Sequence, residues 1–237
     1  MCSLRSVDRS DDEEVSKGNP GEQAYGLGRI LALSDGVFAF ALTLLVVQLA
    51  IPAAASHTSL SSQLLDQMPS YFSYVISFTA VASTWYGHHE NFKYIRRYDG
   101  RLIALNFGSL LLIAFLPFPT AVLGRNQHEP LAAVVYAMTL ALNNMFSAAT
   151  WWYAIHRRRL VRHNLEQRVV RLRFYRTLAG TAVFLLSIPV ALWQPLAAEI
   201  AWSLFLVAIF VFLRGNGGAA TTSKAPQIGS RHGDRPG

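Results

Sequence analysis

The 237-residue sequence is poor in the residues that soluble domains use to stabilise themselves. A single cysteine, Cys2, excludes a disulfide within the chain. Only 15% of the residues are charged, whereas 52% are hydrophobic and the mean hydropathy is +0.27, which is typical of a membrane protein. The first 25 residues are polar and acidic and lack the apolar core of a secretory signal peptide, so the first long apolar run is expected to stay in the mature chain.

Sequence motifs that identify common enzymes and channels are also missing. There is no glycine-rich phosphate loop, no Gly-x-Ser-x-Gly nucleophile elbow and no Thr-Val-Gly-Tyr-Gly potassium filter. No set of residues is spaced as a nucleophile with its base or as the ligands of a metal. We therefore expect a protein that is not an enzyme and that needs no cofactor.

Six apolar runs predict an all-α integral membrane bundle of six transmembrane helices. About 20 residues are needed for a helix to cross the hydrocarbon core, and most of the runs are long enough. The last two are the shortest and are separated at Trp193-Gln194-Pro195. We expect a transmembrane domain at 27–214 between disordered cytoplasmic tails at 1–26 and 215–237. The runs lie at about 29–51, 70–92, 101–123, 130–155, 174–194 and 196–213.

The basic residues fix the expected orientation of the helices. Of the 21 Lys and Arg residues, 20 lie before the first run, between the second and third, between the fourth and fifth, or after the sixth. Only Arg125 lies on the other side. Because positive charge stays in the cytoplasm, both termini are predicted to be cytoplasmic. The same asymmetry explains the net charge of +7 without nucleic acid, since no nucleic-acid-binding motif accompanies the arginines.

The first apolar run carries a charged motif in an otherwise hydrophobic stretch, Arg29 followed by Ser34-Asp35-Gly36. A carboxylate inside a spanning helix costs about 2.5–3.5 kcal/mol and usually faces the bundle interior or an aqueous path, which points to transport. Successive residues of a helix are rotated by about 100° about its axis, so five residues of this run fall in one stripe about 100° wide, and Asp35 lies on the edge of that stripe. A plain packing face would explain this stripe equally. Its members are Gly36, Phe40, Thr43, Leu44 and Val47.

The second and third runs carry further polar residues, Trp85, His88, His89 and Asn106. Neighbouring histidines on a helix point about 100° apart, so they do not chelate one metal together, and no fixed metal site is expected. We expect one histidine to hydrogen-bond to Asp35 or Ser34, and Asn106 to bond between helices. The alternative is that the histidines face water at the interface.

These motifs together resemble the transmembrane protein 175 family, potassium channels of animal lysosomes and of prokaryotes. The resemblance covers about residues 27–214, and a single six-helix unit is similar to the prokaryotic form. It therefore implies a homotetramer in a prokaryotic plasma membrane, in contact with lipid and potassium ions but not with nucleic acid. The matching segments are Arg29-Ile-Leu-Ala-Leu33-Ser34-Asp35, Trp85-x-x-His88-His89-x-x-Phe92, Asn106 and Phe115-Leu-Pro117-Phe118.

The resemblance also implies roles for particular residues. The pore is expected to be lined by the first helix of each subunit, with the narrowest ring at Phe40 and the threonine implicated in ion selection at Thr43. The next apolar layers fall on Leu44 and Val47, and permeant potassium is expected near Phe40 and Thr43. The motif residues are expected to form a structural polar network near the cytoplasmic side, made of Arg29, Ser34, Asp35, Trp85, His88, His89 and Asn106.

Two residues depart from the family pattern. Leu33 replaces the motif phenylalanine, and Phe40 replaces a branched aliphatic residue at the narrowest ring. Four phenyl rings there would close the pore more firmly or contact cations through their faces. The leading hypothesis is a potassium-preferring cation channel closed by apolar rings. The alternative is a proton-conducting or proton-coupled transporter that uses Asp35 with His88 or His89.

Overall fold

The computed structural model describes residues 20–49, 59–156, 160–161 and 167–217, and these residues are almost entirely helical. The helices are α1 (Pro20–Val47), α2 (Leu60–Asp66), α3 (Met68–Phe92), α4 (Gly100–Phe115), α5 (Pro117–Arg125), α6 (Pro130–His156), α7 (Gln167–Trp193) and α8 (Pro195–Gly217). Extended backbone in the described part is limited to a bridge between Ile95 and Val161. The fold is therefore all-α, as predicted.

Three helical stretches are long and apolar enough to cross a membrane, namely 21–47, 100–125 and 130–156. Two further apolar stretches, 177–193 and 195–206, are shorter, and α3 does not meet the same hydropathy criterion. The serines, the two histidines and Glu90 of α3 lower its mean hydropathy. Of the six predicted spans, three thus correspond to helical stretches in the described residues that are long and apolar enough to cross a membrane.

Helix boundaries differ from the apolar runs where polar turns extend a helix beyond the hydrocarbon. Helix α1 begins at Pro20, nine residues before the predicted start, so residues 20–26 of the predicted tail are helical. Proline is tolerated in the first turn of a helix, and Glu22 there is favourable for the helix dipole. Helix α8 likewise continues to Gly217, into the second predicted tail, whose remaining residues, like 1–19, lie outside the described part.

Proline residues set two of the breaks between neighbouring helices. The third run divides into α4 and α5 around Leu116, just before Pro117. Helix α7 ends at Trp193 and α8 begins at Pro195, which is the separation that the sequence predicted. Proline has no N–H to continue a helix but fits its first turn, so each break falls where a proline can start the next helix.

The helices pack around a long apolar core. Helix α6 lies against α4 and α7, and α1 lies against α3 and α4. The close approach of α4 and α6 requires Gly108, since a Cβ there would lie 2.5 Å from the ring of Phe146. A second, smaller cluster joins α1, the ends of α3 and α6, and the start of α4. It contains Leu27, Phe92, Ile95, Leu102 and Ala154.

Candidate functional site

Helix α1 has one face buried within the chain. Its buried residues recur at intervals of three, four and seven, which is the spacing of a single helical face. Phe38, Ala41 and Leu45 join the central core formed with the other helices. Phe38 is only 1% exposed. The buried face is made of Leu27, Ser34, Phe38, Ala41 and Leu45.

The opposite face of α1 is not covered by any described part of the chain. Phe40 is 62% exposed and Val47 is 72% exposed, and Thr43 is exposed between them. Gly36 has open space around the position of a Cβ. Leu44 is partly buried at the edge of this face. We call Gly36, Phe40, Thr43 and Val47 the uncovered face; a single subunit leaves it available to water, lipid or another subunit.

The hydroxyl group of Thr43 has a defined orientation on this face. Its Oγ1 donates a hydrogen bond of 2.8 Å to the main-chain carbonyl oxygen of Phe40. A hydroxyl has one donor and two acceptor lone pairs, so the donor is used within the helix. The lone pairs stay available to a group that approaches the exposed side, and a cation is such a group.

Three members of the predicted polar network form a chain of hydrogen bonds between α1, α4 and α3. Nδ2 of Asn106 donates to Oγ of Ser34 at 3.1 Å, and its Oδ1 lies 2.8 Å from Nε2 of His88. Ser34 in turn donates to the main-chain oxygen of Ile30 at 2.9 Å. His88 is stacked on Phe92, with ring centroids 4.3 Å apart. The amide of Asn106 therefore links the three helices.

Asp35 and His89 belong to a second pair of contacts, centred on Trp85. Nε1 of Trp85 donates to Oδ1 of Asp35 at 2.8 Å, which joins α3 to α1. The ring of His89 stacks on that of Trp85, with centroids 5.5 Å apart. Asp35, Trp85 and His89 are all exposed in the single chain, so this pair lies on its surface, whereas Ser34 and Asn106 are buried.

Two details of the predicted network are wrong. A histidine was expected to bond directly to Asp35 or Ser34, but Asn106 lies between His88 and Ser34, and Asp35 is bonded by Trp85. Adjacent residues of a helix point in different directions, so His88 and His89 reach different neighbours. Arg29 was expected to join this network, but it is exposed and makes no ion pair with another described residue.

Further polar groups join α4 to α6. Oγ of Ser109 donates to Oδ1 of Asn143 at 2.7 Å and lies 3.4 Å from Oγ of Ser147. A cavity of about 20 Å³ adjoins them, large enough for one water molecule. The spacing of Asn143 and Ser147, four residues apart on α6, was a usable signal of a polar stripe. The cavity is lined by His88, Asn106, Ser109, Ser147, Thr150 and apolar neighbours.

The family model described as the endosomal/lysosomal potassium channel TMEM175 matches residues 29–117, which include most of α1, all of α3 and α4, and their polar network. A potassium channel of Chamaesiphon minutus is 35% identical over 203 residues, covering 80% of this chain and 95% of that protein. A potassium channel of Streptomyces collinus is 38% identical over 130 residues, and the match spans 53% of this chain and 63% of the relative.

A solved structure matches over a similar length. The crystal structure of a lysosomal potassium-selective channel TMEM175 homolog from Chamaesiphon minutus has a TM-score of 0.71 and 28% sequence identity, covering 79% of this chain and 97% of that one. An animal relative, the endosomal/lysosomal proton channel TMEM175 of Gallus gallus, is 27% identical over 179 residues, which are 68% of this chain and 36% of the relative. These relatives are ion channels rather than enzymes, and the apolar helices of this chain mark it too as an integral membrane protein. The chain belongs to the TMEM175 family of potassium channels.

Proposed function

We propose that this protein is a potassium-preferring cation channel, in which four copies of the chain surround a pore lined by the uncovered face of α1. The observation that carries the proposal is the exposure of Phe40 and Val47 on the helix face opposite the core. Lipid alone would also cover exposed apolar side chains, but Gly36 and the Thr43 hydroxyl on the same face favour contact between subunits over contact with lipid. A ring of four such faces around an axis would cover them.

Small residues on α1 support the close approach of several copies. Gly36 and Ala39 are both exposed, and Gly36 meets nothing within 4 Å where a Cβ would stand. Small residues let helices in a membrane approach closely, and contacts between neighbouring subunits need this. Asp35 and Trp85, exposed beside this face, would then lie close to the boundary between subunits.

The chemistry of the uncovered face suits a pore that is narrow and mostly apolar. Phe40 would form the tightest ring, Val47 and the partly buried Leu44 would form the next layers, and Thr43 would supply four hydroxyl oxygens. An apolar constriction gates by excluding water, while oxygen ligands replace part of the water around an ion. With the termini in the cytoplasm, Phe40 would lie on the cytoplasmic side of Val47.

The proposal is tested by reconstituting the full chain in liposomes and measuring potassium flux against sodium flux. We expect potassium-driven flux to exceed sodium-driven flux, and protein-dependent flux to be absent from empty vesicles. Equal flux of the two ions would refute the potassium preference. A complete lack of flux of either ion, from protein shown to be folded, would refute the channel assignment for this chain.

Replacing Thr43 by alanine tests the source of the selectivity. The change removes four hydroxyl oxygens from the proposed pore. We expect this to reduce the free-energy difference between the two ions by about 1 kcal/mol in total, so the potassium preference should fall by roughly fivefold while current persists. The measurement is the reversal potential under bi-ionic conditions. Thr43→Ser keeps the hydroxyl group and should keep the preference.

Thr79→Ala is the matched control for this experiment. The Thr79 hydroxyl also donates a hydrogen bond within its own helix, to the carbonyl oxygen of Val75 at 2.8 Å, but Thr79 lies on α3. We expect no change in reversal potential for this variant. An unchanged reversal potential in Thr43→Ala as well would remove Thr43 from the selectivity mechanism.

Proton conduction is the second candidate, because the animal relative is named a proton channel. Neither histidine bonds directly to Asp35 in the described residues, since Asp35 is bonded by Trp85, His88 by Asn106, and His89 stacks on Trp85. A pH-sensitive dye inside the same liposomes separates the two candidates. If the liposome interior still acidifies when the potassium concentration is equal inside and outside, proton conduction is favoured.

A further inference from the structure

Helix α8 carries a buried acidic residue that the proposed pore does not use. Glu199 is 0% exposed and lies four residues after Pro195, which is about 6 Å along the helix from the turn between α7 and α8. Neither of its carboxylate oxygens has a hydrogen-bond partner among the described residues. Because the burial is complete within one chain, a neighbouring subunit would not reach this group.

The hydrogen bonds made by the side chains of this part of the bundle do not include the carboxylate of Glu199. The indole Nε1 of Trp202, one turn further along α8, donates to Oγ of Ser187 at 2.8 Å. Oγ of Ser203 donates to the main-chain oxygen of Glu199, not to its carboxylate, at 2.8 Å. Oγ of Ser77 donates to the hydroxyl oxygen of Tyr136 at 3.0 Å. None of these groups, nor the Tyr136 hydroxyl that accepts from Ser77, donates to the carboxylate of Glu199.

No described cation compensates the carboxyl group from the helices packed on α8, which are α3, α6 and α7. On α6 the titratable group that interacts with it is Tyr136, whose ring lies 5.2 Å from that of Trp202. On α3 the titratable groups in this half of the bundle are Tyr71 and Tyr74. Residues 177–193 of α7 contain no titratable side chain. An ionised carboxylate here would have no positive partner and no hydrogen bond in place among the described residues.

We propose that Glu199 is a proton-binding site, and that its neutral carboxylic acid form holds α8 against α3 and α6. Burying a charge without a partner is strongly unfavourable in an apolar interior, whereas the neutral acid is tolerated. Loss of the proton would therefore draw water to the site and loosen the packing of α8. On the orientation given under the proposed function, the site lies near the outer surface, so protons from outside the cell would reach it.

Infrared spectroscopy of the purified full-length protein tests the protonation directly. At pH 7 the exposed carboxyl groups are ionised, so a C=O band of a neutral carboxylic acid reports on a buried one. We expect this band in the wild-type protein and in Glu129→Gln, a control at an exposed residue before α6, and its loss in Glu199→Gln. A wild-type spectrum at pH 7 without the band overturns the proposal, whatever the variants do.

Thermal unfolding tests the coupling to packing and does not depend on ion flux. Because the folded state would hold a proton that the unfolded chain releases, the wild-type Tm should fall as the pH rises from 5 to 9, by at least about 3 °C. Glu199→Gln, which has no proton to lose, should change less over the same range, and Glu199→Met serves if the glutamine variant does not fold. A parallel fall of Tm in wild type and variants would overturn the coupling. Neither experiment measures ion flux, so their outcomes are independent of whether the channel assignment is correct.

Discussion

Phe40→Ala is expected to raise basal potassium flux by about tenfold or more and to weaken discrimination against sodium. The phenyl ring is the largest side chain on the uncovered face, and four of them around one axis would leave little room for a hydrated cation. Replacing each ring by a methyl group widens the constriction and lets water enter. A barrier lowered by about 1.4 kcal/mol is enough for a tenfold increase. The measurement is initial flux in liposomes at matched protein content.

Two further variants make this experiment specific. Phe40→Asn should hydrate the ring and also give a leaky channel. Phe107→Ala, a matched control, removes a phenyl group that is 49% exposed on α4 and should leave basal flux unchanged. If Phe40→Ala conducts like the wild type, Phe40 does not form the barrier, and the closing ring must be sought elsewhere on α1.

Asp35→Ala is expected to lower the yield and stability of the assembled protein before it alters ion preference. The change removes the acceptor of the 2.8 Å hydrogen bond from Trp85 that joins α1 to α3. Such a bond is worth about 1–2 kcal/mol, and an assembly of four subunits would lose four of them. The measurements are the thermal stability of the detergent-solubilised protein and the reversal potential of whatever channels remain.

A double-mutant cycle isolates this bond. Trp85→Phe removes the donor, so the loss in Asp35→Ala/Trp85→Phe should be smaller than the sum of the two single losses. Asp66→Ala, at an exposed position on α2, is the control and should have little effect. A stable Asp35→Ala assembly with an altered potassium preference would contradict the structural role and would move Asp35 into the conduction path.

The sequence predicted the helical fold because apolar runs and prolines act locally. The break between Trp193 and Pro195 depends on a single proline, and the period of α1 distinguishes its two faces without knowledge of the neighbouring helices. The early start of α1 at Pro20 was missed, since hydropathy does not detect polar turns outside the hydrocarbon.

Most members of the polar network were predictable, with Arg29 the exception, but its connections were not. Ser34 and Asn106 are 72 residues apart in the chain, and only the packing of α1 on α4 brings them to 3.1 Å. Likewise, the sequence named Asp35 and Trp85 without pairing them. Glu199 was overlooked because one acidic residue in an apolar run does not disclose which helices surround it, although its presence there was the available signal.

The central claim is that the uncovered face of α1 lines an aqueous pore, and cysteine accessibility tests it most directly. Cys2 is first replaced by serine, so that each added thiol is the only one present. Three variants are compared in liposomes. Phe40→Cys lies on the uncovered face, Phe38→Cys lies in the core, and Leu186→Cys lies on α7 at a position that is 71% exposed in the single chain.

A small charged thiol reagent is then added from water, and potassium flux is followed. The account predicts that Phe40→Cys is modified and its flux is blocked, while Phe38→Cys is protected by packing and Leu186→Cys by lipid. Rapid modification and block of Phe38→Cys, with Phe40→Cys inert, would contradict the account, because the pore would then be lined by the opposite face of α1.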